Sequence, residues 1–596
     1  MTTNHGQTLT LMALSIALIG NAAAVHATDG DEQRRHAKTT TPIEHVIVII
    51  GENHTFDNLF GAYRPAPGQT IANLLSKGII KADGSPGPHF NLAAQQQASE
   101  LNSYSIDPVL TGPYATLPQP QTTYAKGQPP GGVDARFPAN LPNGPFQITK
   151  YVSYDAHTGD PIHRFFQMWQ QSDKGRLDLF PWVGQTAGIG PQNGSYSPTP
   201  GNTHQGGEAM GFYNMNTGDA PNFKALADEY AISDNYHQSI MGGTGANFIA
   251  IVSGDVGFHN LNGVPDMPPT NQIENPNPQP GTNNFYIRDG YRGGSYVNCA
   301  DPKQAGVAPI MDYIHSLPGR AFNAGNCTAN TYYLLNNYGP GYTPTGEVKP
   351  LGASLFTLPP QTLPSIADTL SAQRVSWKWY SGGRNDGVAT SSEYCTICDP
   401  FTFFKGVMTT ALKHNLQDVT QFYQDVVSDS TLPAVSFIRP PESMAGHPAN
   451  ATMPDFENFV MDVIKRVQSN KQVWAKTAII VTTDEGGGYY DSGYIQAVDF
   501  FGDGTRIPLV VVSPYAKQGH VDHHYSDHAS ILKFIEKNWQ LKPLSKRSRD
   551  SLPNPIASRD NPYAPLNRPA VSDLMSMFDF EHEHAQESED RDDSDK

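Results

Sequence analysis

Two apolar segments of this chain each end in carboxylate or amide side chains, and this pattern constrains the fold more than any other feature. The first is His45–Gly51, followed by Glu52 and Asn53; the second is 478–482, followed after Thr483 by Asp484 and Glu485. Such continuous apolar runs are typical of buried strands in a parallel sheet. Open α/β sheets bind their ligands beyond the carboxyl ends of the strands. The two segments therefore predict oxygen ligands for a metal at one sheet edge.

The surrounding sequence alternates between helical and strand periodicity. Apolar side chains recur at helical spacing from Phe456 to Val467, directly before the second segment. Residues 506–514 read as another buried strand, and a helix with Ile531, Ile535 and Trp539 on one face follows. We expect an α/β/α sandwich with a mainly parallel sheet. The segments 84–145 and 257–350, rich in Pro, Gly and Asn, are expected to be long loop insertions over the sheet edge.

Composition narrows the class of protein and of partner. The chain has 596 residues, of which only 16% are charged, and it contains 54 Gly and 49 Pro, which suits a loop-rich folded enzyme rather than a disordered protein. A net charge of −17 argues against a nucleic-acid partner. It also means that a phosphate site has to be made locally positive, and a bound metal would achieve this.

The N-terminus is interpreted as an export signal. An apolar stretch from Leu9 to Ile19 is followed by Val25-His26-Ala27, which fits a small-x-small cleavage site. A membrane anchor is the alternative, but the stretch is too short to cross a bilayer core of ~30 Å. We therefore expect a periplasmic or secreted protein without a stable membrane anchor. The predicted organisation is a signal peptide (1–27), a polar leader (28–41), a catalytic domain (42–545), a C-terminal extension (546–580) and an acidic disordered tail (581–596).

The export signal guides the interpretation of the four cysteines. An even number in an exported chain favours disulfides, and we expect the local pairs Cys299–Cys327 and Cys395–Cys398. A zinc site and a redox-active Cys-x-x-Cys motif are the alternatives. No second Cys-x-x-Cys or Cys-x-x-His motif supports zinc, and Pro400 argues against a helix that would carry a redox motif.

A glycine-flanked threonine offers a candidate nucleophile. Thr244 lies in the sequence MGGTGAN, directly before an apolar run, so a helix is expected to begin at this turn. A hydroxyl at a helix N-terminus lies where free N–H groups and the macrodipole favour negative charge. A metal that lowers its pKa would make it a nucleophile towards phosphorus. Taken alone, such a threonine is more often a helix cap.

Several blocks occurring in one order resemble a known family. These are His45–Asp57, Asp160–His163, Gly242–Asn247, Arg439–Glu442 with His447-Pro448, Thr483–Asp491, and Val521–His528. Together they cover roughly 43–540 and resemble the bacterial phosphoesterase family of phospholipase C and AcpA-type acid phosphatases. The resemblance implies an alkaline-phosphatase-like fold and hydrolysis of phosphate esters through a covalent phosphothreonine.

Residue roles are carried over from this resemblance position by position. It implies one divalent metal, of unknown identity, bound by Glu52, Asn53, Thr244, Asp484 and Glu485. It further implies Thr244 as nucleophile, His163 and His447 as histidines near the phosphoryl group, Asn247 as a contact to phosphate oxygens, and His523 and His528 as supporting residues. His523 and His528 have an alternative role in capping and orienting the helix that follows them.

Three positions depart from the family pattern. His54 stands where relatives often carry Arg, and Gly486 stands where His is frequent after the Asp-Glu pair. Many relatives also have paired histidines before the Pro-Phe that matches Pro400-Phe401, whereas this chain has Cys398 and Asp399 there. The substrate-facing residues are therefore expected to differ.

Three functional hypotheses remain open at this stage. The first is a metal-dependent acid-phosphatase-like hydrolase of small phosphate esters, and the second is a phospholipase C acting on phosphatidylcholine-type head groups. The third, from another class, is a non-catalytic exported protein that binds phosphate esters. The substrate is accordingly a small phosphate ester or a phospholipid head group.

Overall fold

The computed structural model describes residues 38–99, 103–122, 126–127, 133–186, 206–277, 293–385, 389–448 and 450–581. The predicted signal peptide, most of the polar leader and all but the first residue of the acidic tail lie outside these ranges. Within the part described, no helix is long and apolar enough to span a bilayer.

An eight-stranded sheet forms the centre of the molecule. Its strands are β1 (His45–Gly51), β2 (Ala231–Ser233), β3 (Trp377–Ser381), β4 (Leu416–Asp418), β5 (Val435–Arg439), β6 (Thr477–Thr483), β7 (Leu509–Val512) and β8 (Val521–Asp522). The order across the sheet is β4-β3-β5-β1-β6-β7-β2-β8. Only β7 runs antiparallel to its neighbours among these strands. The sheet is therefore mainly parallel, as predicted.

Twelve α-helices accompany the sheet in the described residues. They are α1 (Phe56–Phe60), α2 (Phe165–Ser172), α3 (Phe180–Thr186), α4 (Pro221–Glu229), α5 (Thr244–Ser253), α6 (Val307–Ser316), α7 (Ile366–Ala372), α8 (Lys405–Met408), α9 (Val419–Asp425), α10 (Met453–Ser469), α11 (Lys471–Trp474) and α12 (His528–Trp539).

Short strand pairs lie in the connecting segments. They are Gln96–Ala98 with Leu110–Pro113, Phe146–Gln147 with Gly211–Phe212, Tyr236–His237 with Ser526–Asp527, Asn260–Leu261 with Val264–Pro265, Tyr296–Val297 with Tyr333–Leu334, Gly339–Pro340 with Thr357–Leu358, and Arg384–Asn385 with Ala389–Thr390. The described parts of the segments predicted as loop insertions thus consist mainly of loops and two-stranded pairs, although 257–350 also contains α6.

The two faces of the sheet are covered by different helices. Adjacent strand residues point to opposite faces, and in β3 Trp379 packs against Phe248 of α5 with ring centroids 6.1 Å apart, whereas Tyr380 packs against Phe422 of α9 at 5.4 Å. Phe456 of α10 lies directly under Gly51, where a Cβ atom would approach its ring within 2.4 Å. The α/β/α sandwich is confirmed.

Local sequence explains the boundaries of the elements next to β6. Helix α10 begins with a capping box between Thr452 and Asp455, and its apolar face is buried as predicted. The short helix α11 separates it from β6, a detail that the periodicity did not predict. Strand β7 is shorter than the predicted 506–514, because Pro508 has no N–H to donate to the ladder.

The four cysteines form the expected disulfides, Cys299–Cys327 and Cys395–Cys398. The predicted C-terminal extension packs closely on the sandwich. Its Arg549 is buried and lies 2.6 Å from Asp499 and 2.5 Å from Asp503.

Candidate active site

Two central parallel strands deliver the predicted ligands to one sheet edge. Strands β1 and β6 are neighbours in register, with Gly51 opposite Thr483, so both strands end at the same level. The Asp484 N–H donates to the Gly51 carbonyl oxygen over 3.0 Å and extends this pairing by one residue. Glu52, Asn53, Asp484 and Glu485 therefore leave the sheet side by side, as the sequence predicted.

Backbone turns after the strands allow consecutive side chains to face one site. Asn53 has a positive φ of 60°, a conformation that Asn tolerates better than most residues. Gly487 and Gly488 also have positive φ, at 59° and 74°. A Cβ atom on Gly487 would lie 2.7 Å from the Asn53 Cβ, so the two turns touch and glycine is needed there. The chain leaves strand geometry at this point, as two adjacent acidic ligands require.

Thr244 is brought to this edge by α5. It is the first residue of the helix, and its Oγ1 donates to Glu485 Oε1 over 3.1 Å. Gly243, rather than Thr244, occupies the N-cap position. Gly242 lies so close to Leu335 that a Cβ would approach its carbonyl oxygen within 1.8 Å, so the turn must contain glycine. The hydroxyl is therefore committed to the acidic site rather than to capping its own helix.

Asn247 stabilises the turn that carries Thr244. Its Oδ1 accepts from the Ile240 N–H over 3.0 Å, and its Nδ2 donates to the carbonyls of Ile240, Gly242 and Gly243. Both ends of the buried amide are thus used by the backbone. The amide therefore holds the turn that carries Thr244, and the contact with phosphate that the resemblance implied stays a prediction.

The polar atoms at this edge fit a cation. Among the described residues, neither amide atom of Asn53 nor Oδ2 of Asp484 has a hydrogen-bond partner, although all are buried. Burial, reinforced by the negative charge of Glu52, raises the pKa of Asp484 well above its ordinary value. Buried polar groups without partners are costly, and a divalent cation would satisfy the two oxygens among them, Asn53 Oδ1 and Asp484 Oδ2. Carboxylate, amide and hydroxyl oxygens are the donors that hard cations prefer.

The two predicted histidines lie beside each other near an aspartate. The rings of His163 and His447 are 6.5 Å apart. His163 Nδ1 lies 2.7 Å from the Pro161 carbonyl oxygen and must donate to it, so Nε2 is the acceptor nitrogen of the neutral ring. His447 Nε2 lies 3.9 Å from Asp160 Oδ2 and 4.0 Å from Glu52 Oε2. Asp160, which the sequence analysis quoted without a role, thus lies close to both rings.

The other two histidines have different surroundings. His523 contacts Asp234 Oδ1 at 2.7 Å and Thr70 Oγ1 at 2.9 Å, and neither residue belongs to the predicted site. Although burial lowers the pKa of His523, the Asp234 carboxylate raises it overall. His528 is the first residue of α12 and is fully buried, which lowers its pKa to about 3 despite the Thr483 backbone nearby. His528 therefore touches the ligand-bearing strand as a neutral ring.

Arg439 is a site residue to which sequence reasoning gave no role. It is 1% exposed, its Nη2 donates to Glu52 Oε1, and the same nitrogen lies 3.1 Å from Glu442 Oε2. The block Arg439–Glu442 was recognised as a motif, but a sequence does not show that its arginine meets Glu52. The guanidinium holds one oxygen of this ligand and offsets part of the acidic charge.

The departures from the family pattern have structural consequences. His54 Nε2 lies 2.9 Å from the carbonyl of Gly446, next to His447, and burial lowers its pKa to about 4, so no cation replaces the missing arginine. At Gly486 a Cβ would lie 2.5 Å from Thr505 Oγ1, which leaves no room for a histidine. Cys398 lies against Glu52, with Sγ 2.9 Å from Oε1.

Comparison with known proteins identifies the family of this chain. The model of the Phosphoesterase family matches residues 43–542, which include every predicted catalytic and metal-binding residue. The chain belongs to the Phosphoesterase family. The curated relatives of this member of the family include several bacterial phospholipases C.

Two of these relatives align over most of the chain. Hemolytic phospholipase C of Pseudomonas aeruginosa is 24% identical, with 91% of this chain and 57% of that protein covered. Non-hemolytic phospholipase C of Burkholderia pseudomallei is 25% identical, with 92% and 60% covered. This phosphoesterase thus spans less than two thirds of the length of these relatives.

A phosphatase and a solved structure are also similar to parts of the chain. A probable acid phosphatase of Kluyveromyces lactis is 23% identical, with 38% of this chain and 54% of that protein covered. A solved protein of the alkaline phosphatase superfamily from Vibrio parahaemolyticus aligns with a TM-score of 0.24 at 10% identity, over 53% of this chain and 59% of that chain. This score is too low to support a comparison of residues.

Proposed function

We propose that this phosphoesterase hydrolyses phosphate esters with Thr244 as the nucleophile, at a site that holds one divalent cation. The ligands in this proposal are Glu52, Asn53, Thr244, Asp484 and Glu485. The observation that carries it is the contact between Thr244 Oγ1 and Glu485 Oε1, within a buried cluster of oxygen donors. A single threonine hydroxyl needs only one acceptor for its hydrogen bond, so the cluster of carboxylates around it indicates a cation site and not only a structural contact.

The residues of the chain position and activate the nucleophile. Glu485 accepts the Thr244 hydroxyl hydrogen bond and so orients Oγ1 towards the site. The N-terminal end of α5 favours negative charge on this oxygen and on an attached phosphoryl group. A divalent cation, when bound, supplies Lewis-acid stabilisation of the hydroxyl as alkoxide and of the charge that develops on phosphorus. Attack by Oγ1 would displace the alcohol and form a phosphothreonine, which water then hydrolyses.

Proton transfer to the leaving alcohol is assigned to the histidine pair. Nδ1 of His163 donates to the Pro161 carbonyl oxygen, so Nε2 is the nitrogen to which we assign proton transfer. His447 lies between two carboxylates, Asp160 and Glu52. A general acid matters most for a poor leaving group. His163→Asn and His447→Asn are compared with the wild type. The variant that lacks the general acid should hydrolyse an alkyl phosphate far more slowly, while its hydrolysis of p-nitrophenyl phosphate should change much less.

The main test compares two variants of the nucleophile. Thr244→Ala should abolish turnover of p-nitrophenyl phosphate, whereas Thr244→Ser keeps a hydroxyl and should retain substantial activity. Chelator treatment should remove the activity of the wild type, and a panel of divalent ions should restore it and identify the metal. If Thr244→Ala hydrolysed the ester at the wild-type rate, the protein would instead be a non-catalytic binding protein or use another nucleophile.

The class of ester is a second question. The relatives that align over most of the chain are named phospholipases C, which favours phospholipid head groups, whereas the similarity to a probable acid phosphatase favours monoesters. Rates of p-nitrophenol release from p-nitrophenyl phosphate and from p-nitrophenylphosphorylcholine separate the two. We also propose that the protein is exported to the periplasm or secreted, in keeping with its two disulfides.

A further inference from the structure

A disulfide lies directly against one of the proposed metal ligands. Cys398 Sγ is 2.9 Å from Glu52 Oε1, and Cys398 and Glu52 are only 1% and 3% exposed. Cys395, the other half of the disulfide, is partly exposed. One ligand atom from each of Glu52, Cys395 and Cys398 lies within 4.8 Å of the others. The two bonded sulfurs and the Glu52 carboxylate thus lie together at one edge of the proposed hydrolytic site.

Once the bond between the two sulfurs is broken, this arrangement could adopt the dimensions of a thiolate metal site. Tetrahedral zinc binds sulfur at about 2.3 Å and carboxylate oxygen at about 2.0–2.2 Å, which places two sulfur ligands about 3.8 Å apart. The spacing of two cysteines separated by two residues is the one that structural zinc sites use. While the sulfurs are joined to each other they are not thiolates and offer little to a divalent cation.

We propose that reduction of the Cys395–Cys398 disulfide creates a second metal site, which binds a soft divalent cation such as zinc or cadmium through both thiolates and Glu52. Because Glu52 also serves the proposed hydrolytic site, a cation held on the sulfurs competes with the catalytic cation for this carboxylate. The binding part of this proposal stands on the geometry alone, whereas the effect on hydrolysis rests on the proposed function.

The reduction step balances with a dithiol as co-reactant. One thiolate of the dithiol attacks the more accessible Cys395 Sγ, the S–S bond breaks, and its electron pair leaves on Cys398. The second thiol of the reductant then attacks the mixed disulfide and releases Cys395. The dithiol is oxidised to its cyclic disulfide, and two electrons and two protons end on the two cysteines. Each thiol gives up its proton when the cation binds.

The location of Glu52 should also affect how readily the Cys395–Cys398 disulfide is reduced. A thiolate formed on Cys398 would face the Glu52 carboxylate at hydrogen-bond distance, and the two anions would repel each other in a buried site even though Arg439 offsets part of the Glu52 charge. A divalent cation between them removes this repulsion. We therefore expect zinc or cadmium to favour the reduced form, so that the disulfide is reduced more readily when either ion is present.

The test titrates cadmium into the whole protein before and after reduction by a trialkylphosphine, which does not bind cadmium as thiol reductants do. The reduced wild type should bind cadmium through the two thiolates and show the ultraviolet cadmium–thiolate absorption band. The band should be absent from oxidised protein and from Cys395→Ser and Cys398→Ser. Glu52→Gln should keep the band but bind cadmium about ten-fold more weakly, equivalent to about 1.4 kcal/mol.

Controls separate this site from other cysteines and from folding defects. Alkylation with mass mapping shows which disulfide the phosphine has opened, and circular dichroism of each variant shows that it is folded. Equal binding by reduced wild type and Cys398→Ser, or a Cys395–Cys398 bond that the phosphine does not open in the folded protein, would overturn the proposal. Cadmium should also inhibit ester hydrolysis by reduced protein more than by oxidised protein. An absence of hydrolysis in both states would contradict the proposed function and leave the binding result intact.

Discussion

Removal of the Arg439 charge should show how strongly this arginine stabilises the acidic site. In Arg439→Met, an apolar side chain of similar length replaces a guanidinium that is 1% exposed and bonded to Glu52. Breaking a buried ion pair by removing one partner costs about 3–5 kcal/mol, because the remaining charge is buried without compensation. We expect a loss of this size in the free energy of unfolding of chelator-treated protein. An added divalent cation would neutralise Glu52 and should restore a large part of the lost unfolding free energy.

The measurement is urea denaturation of wild type and variant, with chelator and with restored cation. Arg466→Met is the matched control, because Arg466 forms an exposed ion pair with Asp462 over 2.8 Å, and exposed pairs contribute about 0–1 kcal/mol. Arg439→Lys keeps the positive charge but not the planar guanidinium, and it should lose less unfolding free energy than Arg439→Met. If Arg439→Met in chelator were no less stable than Arg466→Met, the guanidinium would not compensate Glu52 and the electrostatic reasoning would be wrong.

Three further predictions test other contacts. Burial raises the pKa of Glu274 from 4.5 to about 7 beside Arg164. Because the folded state holds this proton more tightly than the unfolded state, the unfolding free energy should fall by about 3 kcal/mol as the pH rises from 4.5 to about 7. Denaturation at several pH values should show this fall in the wild type and a smaller one in Glu274→Gln. Gly486→Ala places a Cβ 2.5 Å from Thr505 Oγ1 and should cost about 1–3 kcal/mol, whereas the open Gly293→Ala should change stability by no more than about 0.5 kcal/mol; equal effects would refute the steric argument. Asn247→Ala should lower kcat with little change in KM, since its amide holds the backbone of the nucleophile turn; a rise in KM alone would indicate a direct contact with substrate.

Sequence alone determined the framework of the site, because the relevant signals are local. The apolar run of β1 and the helical spacing of α10 place both elements within a few residues of their observed bounds. The acidic and amide residues directly after β1 and β6 reach one edge because parallel neighbouring strands end together. Local pairing of the cysteines followed from their number and spacing. These features depend on side-chain periodicity, which a single sequence displays.

Tertiary structure alone decided which residues surround those ligands. Arg439 and Glu52 are 387 positions apart, and Cys398 is 346 positions from the same carboxylate. Only the folded structure shows that the Asn247 amide binds the turn beneath Thr244, whereas the resemblance had given it a contact with phosphate. No periodicity encodes such contacts, because they arise only when several elements pack on one sheet edge and bring distant loops together. The residues proposed as ligands could therefore be chosen from the sequence, whereas their electrostatic environment depends on folding.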